Sequence, residues 1–371
     1  MSVLKDIFPI SKWPGKASKP YLIAGPCGVE SEIQMQKVAA GLASTGVSVL
    51  RGGIWKPRTK PDSFQGTGDQ GLAWLKSAAS AYGLLSCTEV ADPSHVDAAI
   101  RSGIDILWIG ARTTVNPFLV QRIADALRGV DIPVMVKNPV TPDLDLWIGA
   151  MERIRLAGVE RIMAIHRGFS TFERSRYRNA AIWPIPIELK RRFPEFPLLC
   201  DPSHIAGERS LVAGVAQTAL DLDYDGLMVE VHTDPDHALS DSMQQLHPEA
   251  FSELIAGLVV RKDSFSDVIA SSRVAELRAR IDEVDRQLID VLVNRMDISR
   301  EIGGIKKENE VTIYQLHRWN EILQSRPDLA AQLGLNADFI KKVFEVIHEE
   351  SIHQQTQVMN GRTAGGEEAV S

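Results

Sequence analysis

Eight short apolar runs in the first 262 residues constrain the fold of this 371-residue chain more than any other feature. The runs are rich in Val, Ile or Leu and apolar on both faces, as in parallel strands that are buried on both sides. They cover residues 21–27, 47–54, 84–90, 106–112, 133–138, 161–167, 198–204 and 226–232. Helix-like segments separate most of them. Eight such units in about 250 residues predict a closed (β/α)8 (TIM) barrel over residues 1–262, with a doubly wound open sheet as the alternative.

The pattern changes after the eighth run. A charged, Ser-rich segment over 263–272 predicts a linker. Apolar residues then recur at helical spacing from Val274 toward Ile305, which predicts a long amphipathic helix. We therefore expect a small all-α domain over residues 273–358.

Two further helices complete this predicted domain. The first covers about 314–325 and is expected to end because of Pro327. The second begins near Asn336, a good N-cap residue, and runs to about 357. Residues 359–371 have the composition of a disordered tail.

Net charge and cysteine content limit the kinds of partner and the cellular compartment that the sequence predicts. A formal net charge of −7 argues against nucleic acid or an anionic membrane as a partner. The N-terminus has no apolar signal-peptide core, and we see no membrane-spanning stretch. Cys27, Cys87 and Cys200 are too few and too unevenly spaced for a disulfide framework, which predicts a cytoplasmic protein.

Each predicted strand ends with a residue that can bind a metal or an anion. Active sites of barrel enzymes lie at that end of the strands. In chain order the residues are Cys27, Arg51, Glu89, Arg112, Lys137, Arg167, His204 and Glu230. One such residue is commonly a surface charge on an apolar stem. Eight at one rim predict an active site.

The first group within this set consists of Cys27, His204 and Glu230, with Asp241 just beyond the eighth strand. Thiolate, imidazole and carboxylate ligands suit Mn²⁺, Fe²⁺, Co²⁺ or Zn²⁺ rather than Mg²⁺ or Ca²⁺. Each residue also has an ordinary structural interpretation, such as a small core residue for Cys27 or an N-cap for Asp241. No organic cofactor is expected.

The second group is basic. Its members are Arg51, Lys56, Arg58, Arg112, Lys137 and Arg167. Guanidinium groups match phosphate and carboxylate bidentately, so this many cations at one mouth of an acidic protein predict anionic ligands. Together the two groups indicate a metal that polarises a carbonyl beside bound phosphorylated substrates.

Residues 20–258 contain, in order, the segments IAGPCGVES, LRGGIWKPRT, FQG, TEV, WIGAR, DPSH and MVEVHTDPDHALSDSMQQL. This set resembles the short type of 3-deoxy-D-arabino-heptulosonate 7-phosphate (DAHP) synthase. The resemblance implies an aldol-like condensation of phosphoenolpyruvate with erythrose 4-phosphate. C3 of phosphoenolpyruvate attacks the aldehyde carbon, water adds at C2, and phosphate leaves by C–O cleavage.

The same resemblance implies a role for each residue. The implied metal ligands are Cys27, His204, Glu230 and Asp241. The implied ligands of phosphoenolpyruvate are Arg51 and Lys56 at the carboxylate and Arg112, Lys137 and Arg167 at the phosphate. The implied ligands of erythrose 4-phosphate are Arg58, Thr59 and Asp201. Glu89 is expected near the reacting carbons.

Three positions depart from this family pattern. His166 stands where relatives commonly have Glu, Asn138 where many have Arg, and Gly28 where Ser or Ala is usual. The related 3-deoxy-octulosonate 8-phosphate synthases are the alternative for the barrel. Their second-strand loop resembles KANRS, whereas this chain has KPRT, which favours the four-carbon aldose phosphate.

In the helical half, LRARIDEVDRQLIDVLVNRMDISREIGGIKK and the later ESIHQQ resemble the all-helical chorismate mutase family. The resemblance implies conversion of chorismate to prephenate. The residues implied to bind the carboxylates and ether oxygen are Arg278, supplied by the partner subunit of a homodimer, Arg295, Lys306, Arg318, Ser351 and Gln355.

Gln315 and Trp319 stand where these mutases often have Asp and Glu. A dimerisation or purely regulatory module is therefore the alternative for this domain. We also expect prephenate or chorismate to inhibit the barrel by binding the helical domain.

Overall fold

The computed structural model describes residues 3–15, 19–56, 64–172, 175–262, 264 and 267–361. The chain forms two compact units, Met1–Asp263 and Ser264–Ser371. Among the described residues, no helix combines the length and apolar character needed to cross a membrane. The predicted ligands Arg58 and Thr59 lie outside the described residues, as does most of the predicted tail.

Eight parallel strands form a closed barrel in chain order, with β1 paired to both β2 and β8. The strands are β1 (Tyr21–Gly25), β2 (Val49–Arg51), β3 (Leu85–Val90), β4 (Ile106–Ile109), β5 (Val134–Lys137), β6 (Ile162–His166), β7 (Leu198–Cys200) and β8 (Gly226–Glu230). This closure confirms the predicted (β/α)8 barrel and excludes the open sheet.

Ten α-helices accompany the strands in the described part of this unit. They are α1 (Glu32–Leu42), α2 (Asp69–Ala81), α3 (Pro93–Arg101), α4 (Ala111–Thr114), α5 (Pro117–Ala126), α6 (Leu144–Leu156), α7 (Pro184–Arg192), α8 (Pro202–Ala206), α9 (Arg209–Asp221) and α10 (Pro248–Gly257). The start of several is fixed by an N-cap side chain that accepts a backbone N–H, as Ser31 does for α1 and Asp143 for α6.

The interior of the barrel is a packed core that includes Tyr21, Trp108, Met163 and Met228. Trp13, from the segment that precedes β1, packs in the same cluster. The Tyr21 hydroxyl donates a 2.7 Å hydrogen bond to the Pro14 carbonyl, which anchors that segment beside the start of β1. The N-terminal end of the barrel is therefore covered by this segment.

The second unit contains three helices, α11 (Val268–Glu308), α12 (Leu316–Gln332) and α13 (Ala337–Met359). Helix α11 is about 60 Å long at 1.5 Å per residue, and α13 packs against both α11 and α12. The Asn336 side chain accepts the Phe339 N–H at 2.9 Å, which confirms the predicted N-cap.

Two predicted boundaries in this unit are corrected. Helix α12 does not end because of Pro327 but continues to Gln332. Buried Ile322 and Ala330 lie on either side of the proline, so tertiary packing stabilises the helix across the missing N–H. Residues 268–272 of the predicted linker belong to α11, which begins after an N-cap bond from the Ile269 N–H to Asp267.

Candidate active sites

The carboxyl ends of the strands bring the predicted metal ligands together. Cys27 follows β1, Glu230 ends β8, His204 lies in α8 after β7, and Asp241 lies in the loop after β8. Ligand atoms of Cys27, Glu230 and Asp241 all lie within 4.8 Å of one another. His204 Nε2 lies 3.7 Å from Glu230 Oε1 and 4.0 Å from Asp241 Oδ2. Cys27, Glu230 and Asp241 therefore form one cluster, and His204 lies beside the two carboxylates of that cluster.

Protonation of Cys27 depends on this environment. Its thiol is buried and lies 3.3 Å from Asp241 Oδ2. Burial, together with the negative charge of Glu230, raises the pKa of Cys27 to about 12. Lys56 Nζ lies 2.9 Å from both the sulfur and the carbonyl oxygen of Cys27. The thiolate that a metal requires is thus favoured only by nearby positive charge.

His204 is held beside Asp201. Its Nδ1 lies 2.8 Å from Asp201 Oδ2, a placement that leaves Nε2 toward the carboxylates of Glu230 and Asp241. Burial lowers the pKa of His204 despite these acids, so the imidazole is neutral near pH 7 and suited to bind a metal.

Asp201 is completely buried among cations. Lys137 donates a 2.7 Å hydrogen bond to Asp201 Oδ2, and Arg51 Nη1 lies 3.9 Å from the same oxygen. Arg51 also donates from Nη2 to Glu230 Oε1 at 3.1 Å. Asp201 thus pairs with two of the cations that are predicted to bind phosphoenolpyruvate, Lys137 and Arg51. Its predicted contact with the aldose phosphate stays a prediction.

A cavity of about 300 Å³ opens above these residues. Seven of the predicted site residues line it, namely Lys56, Glu89, Arg112, Lys137, Arg167, His204 and Asp241. A Cβ at Gly110 would lie 2.0 Å from Glu89 Oε1, so a larger residue in this wall would displace the Glu89 carboxylate. The cavity thus places cations, a carboxylate and the metal-capable donors around one volume.

Sequence reasoning missed several residues of this site. Trp108 is fully buried beneath it, with the Arg51 guanidinium 5.0 Å and Lys137 Nζ 5.7 Å from its ring centre. Trp108 Nε1 also donates to Glu89 at 3.3 Å. Arg178 lines the cavity from the loop between β6 and α7, where no strand end marks it. Trp108 is the first residue of the WIGAR segment, and its place in that segment was a signal that could have identified it.

The helical unit contains a cavity of about 220 Å³. Five predicted residues line it, namely Arg295, Lys306, Arg318, Ser351 and Gln355. Arg295 donates to the Ser351 hydroxyl, and Lys306 donates to Gln355 Oε1 at 3.1 Å. Burial lowers the pKa of both Arg295 and Lys306. The cations of Arg295 and Lys306 and the carboxamide of Gln355 therefore meet at this cavity within a single chain.

Three other positions complete the description of this cavity. Gln315 lines it, as does His348, whose ring stacks on Trp319 at 4.0 Å. Arg318 donates to Glu321 at 2.6 Å. Arg278 is exposed on α11 and is not among the residues that line the cavity of its own chain.

A closed barrel whose carboxyl face joins metal-capable donors to a cationic cavity defines a barrel enzyme that acts on anionic substrates. Comparison with known proteins gives the family. The DAHP synthetase I family model matches residues 8–262, and the chain belongs to this family. The chorismate mutase type II model matches residues 277–356, so the helical unit is a domain of that type. The two domains support a bifunctional enzyme of the shikimate pathway.

Individual relatives cover the barrel. A phospho-2-dehydro-3-deoxyheptonate aldolase of Thermotoga maritima is 37% identical over 234 residues, 63% of this chain and 67% of the relative. A 2-dehydro-3-deoxyphosphooctonate aldolase of Desulfatibacillum aliphaticivorans is 32% identical over 263 residues, 65% and 92% of the two chains. The crystal structure of the DAHP synthase from Thermotoga maritima aligns with a TM-score of 0.61 and 35% identity, over 68% of this chain and 72% of that one.

Proposed function

We propose that the barrel condenses phosphoenolpyruvate with erythrose 4-phosphate to give DAHP and phosphate. The observation that carries this proposal is the cavity in which cations from several βα loops face the metal-capable donors. Its lining includes Lys56, Arg112, Lys137 and Arg167, whose charges suit a phosphate and a carboxylate. Membership of the DAHP synthetase I family supports the same reaction.

The cations of the cavity bind and orient the two anions. Arg112, Lys137 and Arg167 hold the phosphate of phosphoenolpyruvate, and Lys56 holds its carboxylate. Charge-assisted bonds of this kind fix the direction in which C3 approaches the aldehyde carbon. The same groups stabilise the charge that develops as phosphate leaves. Arg51, the other predicted ligand of the carboxylate, is buried, pairs with Glu230 and Asp201, and is not among the residues that line the cavity.

The four donors fit a divalent ion such as Mn²⁺, Fe²⁺, Co²⁺ or Zn²⁺. A buried thiol, a neutral imidazole and two carboxylates converge here, a set that is too soft for Mg²⁺ or Ca²⁺. Cys27, His204, Glu230 and Asp241 would hold the ion. When bound, it supplies a Lewis acid for the aldehyde oxygen. Asp201 orients His204, and Gln244 fixes Glu230 by a 2.6 Å hydrogen bond.

Phosphate release from the purified chain tests this reaction. We expect turnover with phosphoenolpyruvate and erythrose 4-phosphate, loss of turnover after exhaustive chelation, and recovery with added Mn²⁺. Full activity in protein shown by elemental analysis to be metal-free would contradict the metal assignment. No turnover in the metal-loaded protein would contradict the condensation itself.

An octulosonate phosphate synthase is the alternative for the barrel, because relatives of that name are also similar. The KPRT segment that favours the four-carbon sugar lies largely outside the described residues. The ratio of kcat/KM for erythrose 4-phosphate to that for arabinose 5-phosphate decides between the two. A ratio below one would favour the alternative.

We further propose that the helical domain converts chorismate to prephenate. Arg295, Lys306 and Arg318 supply positive charge for the two carboxylates and the ether oxygen, and Gln355 contacts the ether oxygen. This one-step rearrangement needs only a compact substrate conformer and stabilised negative charge. A dimerisation module would not require these groups to share one cavity.

We propose a homodimer in which each site receives Arg278 from the partner subunit. Arg278 is exposed on α11, where apolar residues such as Ile281, Val284 and Leu288 are also more than half exposed. So much apolar surface on one long helix is typical of an interface. A symmetric dimer would cover it and complete both sites.

Subunit complementation tests the shared site. Arg278→Ala and Arg318→Ala homodimers should each lack mutase activity. Mixing equal amounts after reversible denaturation should restore about a quarter of the wild-type activity, because half of the dimers then carry one intact site of two. No recovery in a mixture that contains heterodimers would contradict the shared site.

We also propose that prephenate or chorismate bound to the helical domain inhibits the barrel. The support is that the chorismate conversion proposed for this domain would use metabolites that lie downstream of the barrel's own product. Coupling of about 1–3 kcal/mol would give a 5- to 150-fold effect. Prephenate should slow condensation by the full wild-type chain and leave the Arg318→Ala chain unaffected. Equal inhibition of both chains would place the effect at the barrel, and no inhibition would favour co-expression or dimerisation as the reason for the fusion.

A further inference from the structure

Arg178 contacts both halves of the barrel site. Its Nη1 donates to Asp241 Oδ1 at 3.1 Å and to Gln244 Oε1 at 2.8 Å. Gln244 is completely buried and donates to Glu230 Oε2 at 2.6 Å. One guanidinium therefore fixes one metal-capable carboxylate directly and a second through a single carboxamide.

Asp241 depends on such support. Its backbone has a φ of 48°, in the left-handed region that is unfavourable for residues other than glycine, although Asp tolerates it better than most. Such a conformation persists only when surrounding contacts define it. The bond from Arg178 fixes the carboxylate at the end of this strained turn, pointing toward Cys27 and His204.

The other side of Arg178 faces the anion-binding cavity. The Arg178 side chain is 46% exposed and lines the cavity together with Arg112 and Arg167. Burial, together with the positive charges of Arg178 and Arg112, lowers the pKa of Arg167 to about 10. Three cations thus repel one another across a space that an anion would occupy. Both side-chain hydrogen bonds of Arg178 to described residues leave from Nη1, so Nη2 and Nε can bind a ligand.

We propose that Arg178 binds the phosphate group of a substrate with one edge while its other edge positions Asp241 and Glu230 for metal binding. This inference rests on the proposed condensation and its metal site. A guanidinium can do both because it presents several donors in a fixed plane. A lysine ammonium carries all its donors on one nitrogen, so it can bind the phosphate but cannot hold Asp241 and Gln244 at the same time.

Calorimetric titrations of the metal-free full chain test the two roles separately. Arg178→Gln should weaken Mn²⁺ binding by about 10- to 100-fold, as expected for loss of a group that orients metal ligands. It should also weaken binding of phosphoenolpyruvate or erythrose 4-phosphate about tenfold, the effect of one charge-assisted bond. Separate titrations with each substrate identify whose phosphate is bound.

Three further variants sharpen the result. Arg178→Lys should keep phosphoester binding within about threefold and still lose Mn²⁺ affinity. Gln244→Leu, which leaves Arg178 in place, should lose Mn²⁺ affinity alone. Arg176→Gln removes the same charge from the same loop, but Arg176 is exposed and contacts Tyr177, so neither affinity should change.

The proposal is overturned if Arg178→Gln binds Mn²⁺ as the wild type does, or if neither phosphoester loses affinity. It is also overturned if Arg176→Gln reproduces both losses, because the effect would then be one of net charge. A wild-type chain that binds no Mn²⁺ would refute the proposed metal site as well, whereas normal Mn²⁺ binding with an unaffected variant refutes only the role of Arg178.

Discussion

The buried imidazole of His166 should make the barrel unit lose stability in mild acid, and His166→Gln should remove much of that loss. His166 ends β6 and is fully buried. Its Nδ1 lies 3.0 Å from the Tyr224 hydroxyl, and its ring meets Trp183 edge-on at 5.2 Å. Burial lowers the pKa of His166 to about 3. In mild acid the imidazole of His166 is therefore protonated in the unfolded chain but stays neutral in the folded barrel.

The size of the effect follows from linkage. An unfolded His has a pKa of about 6.5. Between that value and about 3 the unfolded state binds a proton that the folded state does not, so the free energy of unfolding falls as pH falls. The contribution of His166 is fully present above about pH 6.5. At about pH 5 it has decreased by about 2 kcal/mol, from 1.5 pH units at about 1.4 kcal/mol each.

Urea unfolding at about pH 7 and about pH 5 measures this difference. Tryptophan fluorescence reports mainly on the barrel unit, because Trp319 alone of the 7 tryptophans lies outside it, which leaves 7 − 1 = 6 within. The side-chain oxygen of glutamine can still accept a hydrogen bond from the Tyr224 hydroxyl. The wild type should lose about 2 kcal/mol more than His166→Gln between the two pH values.

An exposed histidine provides the control. His237 is paired with Asp234, which raises its pKa, so His237→Gln should not reduce the acid sensitivity. If His166→Gln lost as much stability at low pH as the wild type, the imidazole would not be the source of the effect.

Three further predictions concern the two cavities. Trp108→Leu removes two buried cation–π contacts and should weaken phosphoenolpyruvate binding at least tenfold by calorimetry; unchanged affinity would show that the ring does not position the cations. Gly110→Ala places a Cβ 2.0 Å from Glu89 Oε1, so kcat of condensation should fall at least tenfold, and wild-type kcat would argue against a role for Glu89. Gln315→Asp replaces a neutral acceptor with a charged one for the substrate hydroxyl and should raise mutase kcat/KM at least threefold; a decrease would indicate that the neutral amide suits this cavity.

The barrel and most of its rim were predictable because both follow from local sequence. Apolar runs buried on both faces mark the strands of a parallel barrel, and the active-site residues of such barrels lie at the carboxyl ends of the strands. The two least regular ligands show the limit of this reasoning. Cys27 lies two residues beyond β1, and His204 lies within α8 rather than at the end of β7. The strand-end argument located the rim but not the elements that carry each side chain.

Contacts between distant loops were not predictable in this way. Lys137 and Asp201 are separated by 64 positions, and Arg178 and Gln244 by 66. No periodicity or motif spacing links such pairs, because only closure of the barrel brings them together. Pro327 failed as a helix terminator for a similar reason, since burial of residues on both sides of it is a tertiary effect.

Asn138 shows how a departure from the family pattern is accommodated. The resemblance described above leads us to expect Arg at this position, beside Lys137, and this chain has a neutral side chain there. The side chain instead fixes backbone: Asn138 Oδ1 accepts the Arg167 N–H at 2.7 Å, and Nδ2 donates to the carbonyls of Pro139 and Gly168 at 2.8 Å. Asn138 is fully buried, so an unpaired charge there would be costly, whereas three satisfied hydrogen bonds hold the turn that carries Arg167. Asn138 therefore fixes the backbone of this turn and adds no positive charge to the site. Arg178 is a cation that lines the cavity in addition to the residues predicted from the sequence.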